Sequence, residues 1–378
     1  MKRPYNVLVL SSSFGQGHMA TARALQSAAK DNPGLNIQLE IIDFSKEVNQ
    51  LFDQTSKRLY EFHTKHVPAL YKMMYISTDI SHTPIRLANI LNYPFRQSHL
   101  SKLLRQHQPD LIISNYPIWQ YLGYQISKKI FPDVEFATLI TDSITVHSSW
   151  TMPDSDLYFV ANTQTARSLH ALGVASRKIQ TLGYPVHSTF AAANFSSVAV
   201  KAKYGLRPNS EYILMSASAL RAGYVRRVAR AVLAALPNKT LIVVAGRDNE
   251  LYEALKDDAM WKLPHSLLLG WTNDMPQLLR GSQAVITKAG GSTVMECIAA
   301  EKPLIINKII PGQEEGNAEF VQIARLGLIA TKPAEIAAGL QTIFSHYQEY
   351  EQRLSQESRP TAAHDILAFI QARLDAAS

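Results

Sequence analysis

A single cysteine, Cys297, is present in the 378 residues, so no internal disulfide can staple the chain, and no Cys/His cluster has zinc-ligand spacing. These two absences point to a reducing compartment, the cytoplasm, and to a fold without a metal or other cofactor. No apolar run reaches the ~18–20 residues of a transmembrane helix, which excludes a bilayer span. The stretch Val7 to Leu10 gives way to serines too soon for a signal h-region. Low-complexity tracts are lacking too, and charged residues make up 18% of the chain against 46% hydrophobic, a balance that excludes disorder. The length exceeds what one core usually organises and predicts two domains of roughly 150–200 residues.

What is present begins with charge. The net charge is +7, and most of the excess lies between Lys57 and Arg105, where Lys57, Arg58, Lys65, Lys72, Arg86, Arg96, Lys102 and Arg105 face only Glu61 and Asp79. The same segment is rich in aromatics and methionine, from Tyr60 and Phe62 to Tyr93 and Phe95. Basic and apolar side chains together suit an anionic membrane surface, where each Lys or Arg contributes about 1 kcal/mol. Nucleic acid is the competing electrostatic partner, but no helix-turn-helix, zinc or RNA-recognition signature accompanies the charge.

Strand-length apolar runs alternate with helical patterns, the order expected of parallel sheets flanked by helices. Strands are predicted near 7–11, 37–43, 111–114, 135–140, 157–160 and 178–182, then near 212–215, 240–245, 266–269, 284–287, 303–307 and 328–330. Gly183-Tyr184-Pro185 and the small, polar residues after it read as a connector. The implied division is an N-terminal domain over 1–183, a connector over 184–210, a C-terminal domain over 211–345, and terminal helices over 346–378 that pack back on the first domain.

Two glycine loops carry chemistry. After the first strand, Gly15, Gly17 and Ala20 fit G-x-G-x-x-G/A, which lets a backbone approach an anion at a helix N-terminus. A nicotinamide dinucleotide is one reading, although Asp43 lies further along than the usual ribose carboxylate. His18 at the mouth of this loop is expected to stay neutral beside the helix dipole, ready to take a proton. The second loop, Thr287-Lys288-Ala289-Gly290-Gly291-Ser292-Thr293, leads into a helix that Ser292 or Thr293 is expected to cap. Free N–H groups there suit a phosphate and Lys288 adds a point charge, while Glu296, about one turn on, could accept both hydroxyls of a ribose. Pro311-Gly312-Gln313-Glu314-Glu315-Gly316-Asn317 then collects the amides and carboxylates that sugar recognition uses.

These stretches resemble the inverting nucleotide-sugar glycosyltransferases of the GT-B type, and within them the family 28-like diacylglycerol glycosyltransferases: monogalactosyldiacylglycerol synthases and processive diacylglycerol glucosyltransferases. Thr287-Lys288-Ala289-Gly290-Gly291 resembles that group's T/S-K-P-G-G with Ala for Pro, and Pro311 to Asn317 follows its P-G-Q-E-x-x-N. Gly17-His18, Thr141-Asp142 through His147 to Trp150, and Gly183-Tyr184-Pro185-Val186 correspond in order. The resemblance implies an α/β fold of two Rossmann-like doubly wound domains facing a cleft. It implies that Glu296 binds the ribose, Gly290 to Thr293 the pyrophosphate, and Gln313, Glu314 and Asn317 the sugar, with Trp271 and Thr272 bordering the uracil. Gly15, Gly17, His147 and Trp150 would then contact the acceptor. One departure is Ser216 to Gly223, where the family has a glycine-rich turn; Arg221 there would compensate with charge.

The implied reaction moves glucose or galactose from a UDP-sugar to the hydroxyl of diacylglycerol or a glycosyl-diacylglycerol. It would occur on the inner face of the cell membrane, with His18 or Asp142 as base. Asp154-Ser155-Asp156 imitates a D-x-D metal motif but reads as a turn. The alternatives are transfer of N-acetylglucosamine to a lipid-linked peptidoglycan precursor, a UDP-sugar epimerase, a nicotinamide dehydrogenase and a non-catalytic UDP-sugar sensor.

Overall fold

A computed structural model describes residues 3–13, 16–43, 46, 67, 72–73, 76–79, 97–152, 154–312 and 314–377. Most of the basic aromatic segment from Lys57 to Arg105 lies outside them, as do Gly15 and Gln313. The chain divides into two compact units, residues 1–188, 310–316 and 361–378 in the first and 189–309 and 317–360 in the second.

The first unit holds a parallel sheet of β1 (Tyr5–Ser11), β2 (Ile37–Asp43), β3 (Leu111–Ser114), β4 (Glu135–Leu139), β5 (Leu157–Val160) and β6 (Ile179–Thr181), in the order β2-β1-β3-β4-β5-β6. The two-residue period of a strand sorts its apolar side chains to opposite faces. Val7, Val9, Leu111, Ile113, Ala137 and Leu139 pack on one face against Leu25 of the helix Gln16–Asp31 and against Ile366, Leu367 and Ile370 of the final helix, Ala362–Ala377. Leu8, Leu10, Ile112 and Phe136 line the other face with Leu100, Leu104, Leu122 and Ile126. Both faces are covered, which is why β3 reads as an unbroken apolar run. Of the terminal helices, Tyr347–Glu357 stays with the second unit and only residues 361–378 join the first. Gly183, with φ of 98°, turns the chain out of β6 in a conformation that favours glycine.

The second unit contains β7 (Tyr212–Ser216), β8 (Thr240–Val244), β9 (Ser266–Leu269), β10 (Ala284–Lys288), β11 (Leu304–Lys308) and β12 (Gly327–Ile329), again all parallel. From one edge its order is β9-β8-β7-β10-β11-β12. That is the doubly wound dinucleotide-fold order, whose direction reverses between β7 and β10. In the first unit the reversal falls between β1 and β3. Ligands of such sheets bind outside the carboxyl ends of the strands at the reversal, so topology alone marks the turns after β1 and β3 in one unit and after β7 and β10 in the other.

Candidate active site

In the first unit the turn after β1 enters the helix at Gln16, so Gly17 and His18 lie within its first turn and not in an open loop. Thr21 Oγ1 stands 2.9 Å from the Gly17 carbonyl and 3.1 Å from the Tyr184 hydroxyl, tying the connector motif to the helix start. Asn115, just beyond β3, donates its amide to the His18 carbonyl at 2.6 Å. Around the partly buried imidazole, Tyr116 packs edge-on at 4.9 Å and the Trp150 ring lies 6.2 Å away. Thr141 Oγ1 sits 3.1 Å from Nδ1. Burial, where the sequence suggests the helix dipole, drives the ring down to about 4, opposed by backbone hydrogen bonding at Asn115, so the imidazole is neutral at pH 7.

Asp142 lies three residues beyond the last residue of β4, Leu139, in the loop that follows. It caps no helix. Trp150, fully buried, donates its Nε1–H to Asp142 Oδ2 at 2.6 Å. Burial raises the carboxyl to about 6, with the Trp150 bond pulling the other way. Gln120 donates to the Trp150 carbonyl at 2.8 Å, which fixes the backbone that carries the indole. Between the two, Ile144 adopts φ of 55°, a left-handed conformation that costs a β-branched residue on the order of 1–2 kcal/mol. Its carbonyl accepts from Ser168. His147, expected at the acceptor, is buried and structural: Nδ1 accepts the Ser149 N–H at 3.1 Å to cap the short helix Ser148–Thr151, and Nε2 meets Thr78 Oγ1 at 3.2 Å. His18, Asp142 and Trp150 thus come together, and His147 supports them.

The second unit carries the stronger sequence signal. Gly290, not Ser292 or Thr293, is the N-cap of the helix Gly291–Ala299, and no side chain caps it. The first intrahelical bond runs from Val294 N–H to the Gly290 carbonyl at 3.0 Å, so the Gly291 and Thr293 amides lie ahead of the ladder. Gly290 has φ of −69° and ψ of 128°, which any residue adopts, so backbone curvature does not require a glycine there. Glu296 is partly buried one turn in, and its carboxylate makes no hydrogen bond or ion pair to described residues. Burial pushes it up to about 7. An uncompensated carboxylate in such a place is unfavourable unless something else binds it.

Asn317, expected at the sugar, donates its amide N–H to the Ala289 carbonyl at 2.9 Å and so braces the turn before the helix Gly291–Ala299. Glu314 is buried, and its carboxylate accepts from the Ile310 N–H at 3.0 Å, closing its own loop around Gly312, whose φ is 85°. The Gly316 backbone, in the first turn of the helix Glu315–Ile323, lies so close to the Asp142 loop that a Cβ would stand 2.3 Å from the Ser143 carbonyl. Arg221 is exposed at the N-cap of the helix Ala222–Ala235, and Lys288 ends β10 at a register shift. Trp271 is 56% exposed, with the Arg247 guanidinium 4.2 Å above its ring. Thr272 is bonded to Tyr204 at 2.8 Å. Neither Arg247 nor Tyr204 is signalled by any motif. Asp154 pairs with Lys178 at 2.6 Å and Asp156 with Lys128 at 2.8 Å, so both carboxylates of the D-x-D sequence are engaged. Among the described residues no group of three His, Cys, Asp or Glu side chains gathers as metal ligands.

Residues 18–186 match the monogalactosyldiacylglycerol (MGDG) synthase family and residues 220–366 the glycosyltransferase family 28 C-terminal domain. Monogalactosyldiacylglycerol synthase 1 of Arabidopsis thaliana is 28% identical over 89% of this chain, which spans 64% of that protein's length. Monogalactosyldiacylglycerol synthase 2 of the same plant is 28% identical over 98% of this chain and 81% of its own length. Among solved structures, the calicheamicin glycosyltransferase CalG4 aligns with a TM-score of 0.63 at 15% identity, over 99% of this chain and 98% of its own. UDP-GlcNAc 2-epimerase from Neisseria meningitidis aligns at 0.59 and 12%, over 97% and 99%. Transferases and an epimerase therefore share this fold, and fold alone does not separate those two readings. The two domain matches do, and they follow one another along most of the sequence: the chain belongs to the monogalactosyldiacylglycerol synthase type of GT-B nucleotide-sugar glycosyltransferases.

Proposed function

We propose that this enzyme transfers a hexose from a UDP-sugar to the hydroxyl of diacylglycerol, with inversion at the anomeric carbon, at an anionic membrane surface. The observation that carries the reading is Glu296: a partly buried carboxylate without a described protein partner, one turn behind a side-chain-free helix N-terminus at the sheet's reversal point. A ribose diol satisfies both of its oxygens, and the amides after Gly290 with Lys288 take the charge of the leaving diphosphate. Trp271 borders the uracil. His18 is neutral and takes the acceptor proton, and the Asp142 carboxylate, held by Trp150, favours the imidazolium that forms. The acceptor oxygen bonds to the anomeric carbon as the carbon–phosphate-oxygen bond breaks, and UDP leaves. Galactose is the favoured hexose, because the relatives are named for galactosyl transfer.

Incubation with radiolabelled UDP-galactose, UDP-glucose or UDP-N-acetylglucosamine and diacylglycerol vesicles, followed by lipid extraction, tests this. Label is expected in a monoglycosyl lipid from UDP-galactose. Release of UDP without labelled lipid, or conversion of the sugar nucleotide alone, overturns the reading.

A further inference from the structure

The acid that could orient a histidine base is otherwise engaged here. Asp142 is bonded to the Trp150 indole at 2.6 Å, and the side-chain group within hydrogen-bond distance of the His18 ring is the hydroxyl of Thr141, 3.1 Å from Nδ1. Thr141 is 6% exposed, so water does not easily replace that contact. Asn115 fixes the His18 backbone, and Tyr116 and Trp150 fix the ring. The Asn115 backbone also hydrogen-bonds to the ring.

A neutral imidazole carries one proton, and its place decides what the ring can do. With the proton on Nδ1 and donated to Thr141 Oγ1, Nε2 keeps a lone pair for the acceptor hydroxyl. With Thr141 donating to Nδ1, the proton sits on Nε2 and the ring can take none there. We propose that Thr141 is a positioning residue that accepts the Nδ1–H of His18 and so presents Nε2 unprotonated to the acceptor. This rests on the transferase reading above. In the step itself the acceptor O–H proton moves to Nε2 as the new glycosidic bond forms, and Nδ1–H continues to donate to Thr141 in the imidazolium.

The test is nitrogen NMR of the full chain with labelled histidine, with His18→Gln assigning the signal, in wild type, Thr141→Val and Thr141→Ser. Valine keeps the shape and removes the acceptor; serine restores it. Wild type and Thr141→Ser are expected to hold the Nδ1–H form, and Thr141→Val to lose it. Alongside, kcat for hexosyl transfer should fall at least about 10-fold in Thr141→Val with little change in KM for the UDP-sugar, and recover in Thr141→Ser. An Nε2–H ring in the wild type overturns the inference, whatever the variants do, as does a Thr141→Val enzyme with unchanged tautomer and kcat. Absence of hexosyl transfer by the wild type would instead strike the transferase reading, while the tautomer would still report on Thr141.

Discussion

At the scale of single residues, the two acids at the candidate site differ in what their raised titration implies. Glu296 in the unfolded chain titrates near 4.5 and in the folded unit at about 7. The penalty for charging it is absent below its unfolded value, grows between the two and is complete above about 7. Glu296→Gln should therefore raise Tm by a few degrees at pH 8, where ~1 kcal/mol corresponds to roughly 2–4 °C in a unit of this size, and hardly at all at pH 4. The same variant should bind UDP at least about 10-fold more weakly by calorimetry, because a ribose diol loses a charge-assisted pair of bonds. Asp142→Asn keeps an acceptor for the Trp150 indole and removes the charge. The acid limb of kcat, expected near the carboxyl's value of about 6 in the wild type, should move toward the value of about 4 set by His18. Gly290, His18, Asp142 and Glu296 stand out as candidates in the sequence because each closely follows the end of an apolar strand run. For Asn317 and His147 a motif records only which residue is present, and the fold adds that the Asn317 amide N–H is engaged with the Ala289 carbonyl and His147 Nδ1 with the Ser149 N–H.

At the scale of elements, every strand expected from the apolar runs is present within one or two residues, because fully buried parallel strands advertise themselves by composition. The loop after β7 shows what composition hides. It has no glycine between Ser216 and Ala222, and Ala219 takes φ of 63° there. Ala219→Gly should raise stability by about 0.5–1 kcal/mol in chemical unfolding, the relief of left-handed strain less the extra freedom of the unfolded chain. The final helix is the converse case. Its apolar spacing is plain in the sequence, but its partner sheet begins more than 350 residues earlier, and no local signal reports that. Leu367→Ala should remove about 2–5 kcal/mol from the unfolding transition of the first unit and leave that of the second unchanged.

For the molecule as a whole, no described helix is long and apolar enough to cross a membrane, and the net charge is +7. The proposed function assigns attachment to lipid to the basic, aromatic stretch from Lys57 to Arg105. Sedimentation with phosphatidylglycerol vesicles should carry the protein down at low ionic strength and release it as salt shortens the screening length from about 10 Å toward 3 Å. Zwitterionic vesicles should retain little, and equal, negligible retention by both would remove membrane docking from the proposal.

The discontinuous first unit also sets the sequence of events during synthesis. Its sheet leaves the ribosome before the second unit, yet Ile366, Leu367 and Ile370, which complete its core, emerge after that unit. The second unit, made entirely of residues before 361, can close while the earlier-born half is still waiting. A nascent chain cut short near residue 360 would thus carry a finished second unit and an uncovered apolar sheet face, the kind of half-product that chaperones hold and proteases clear.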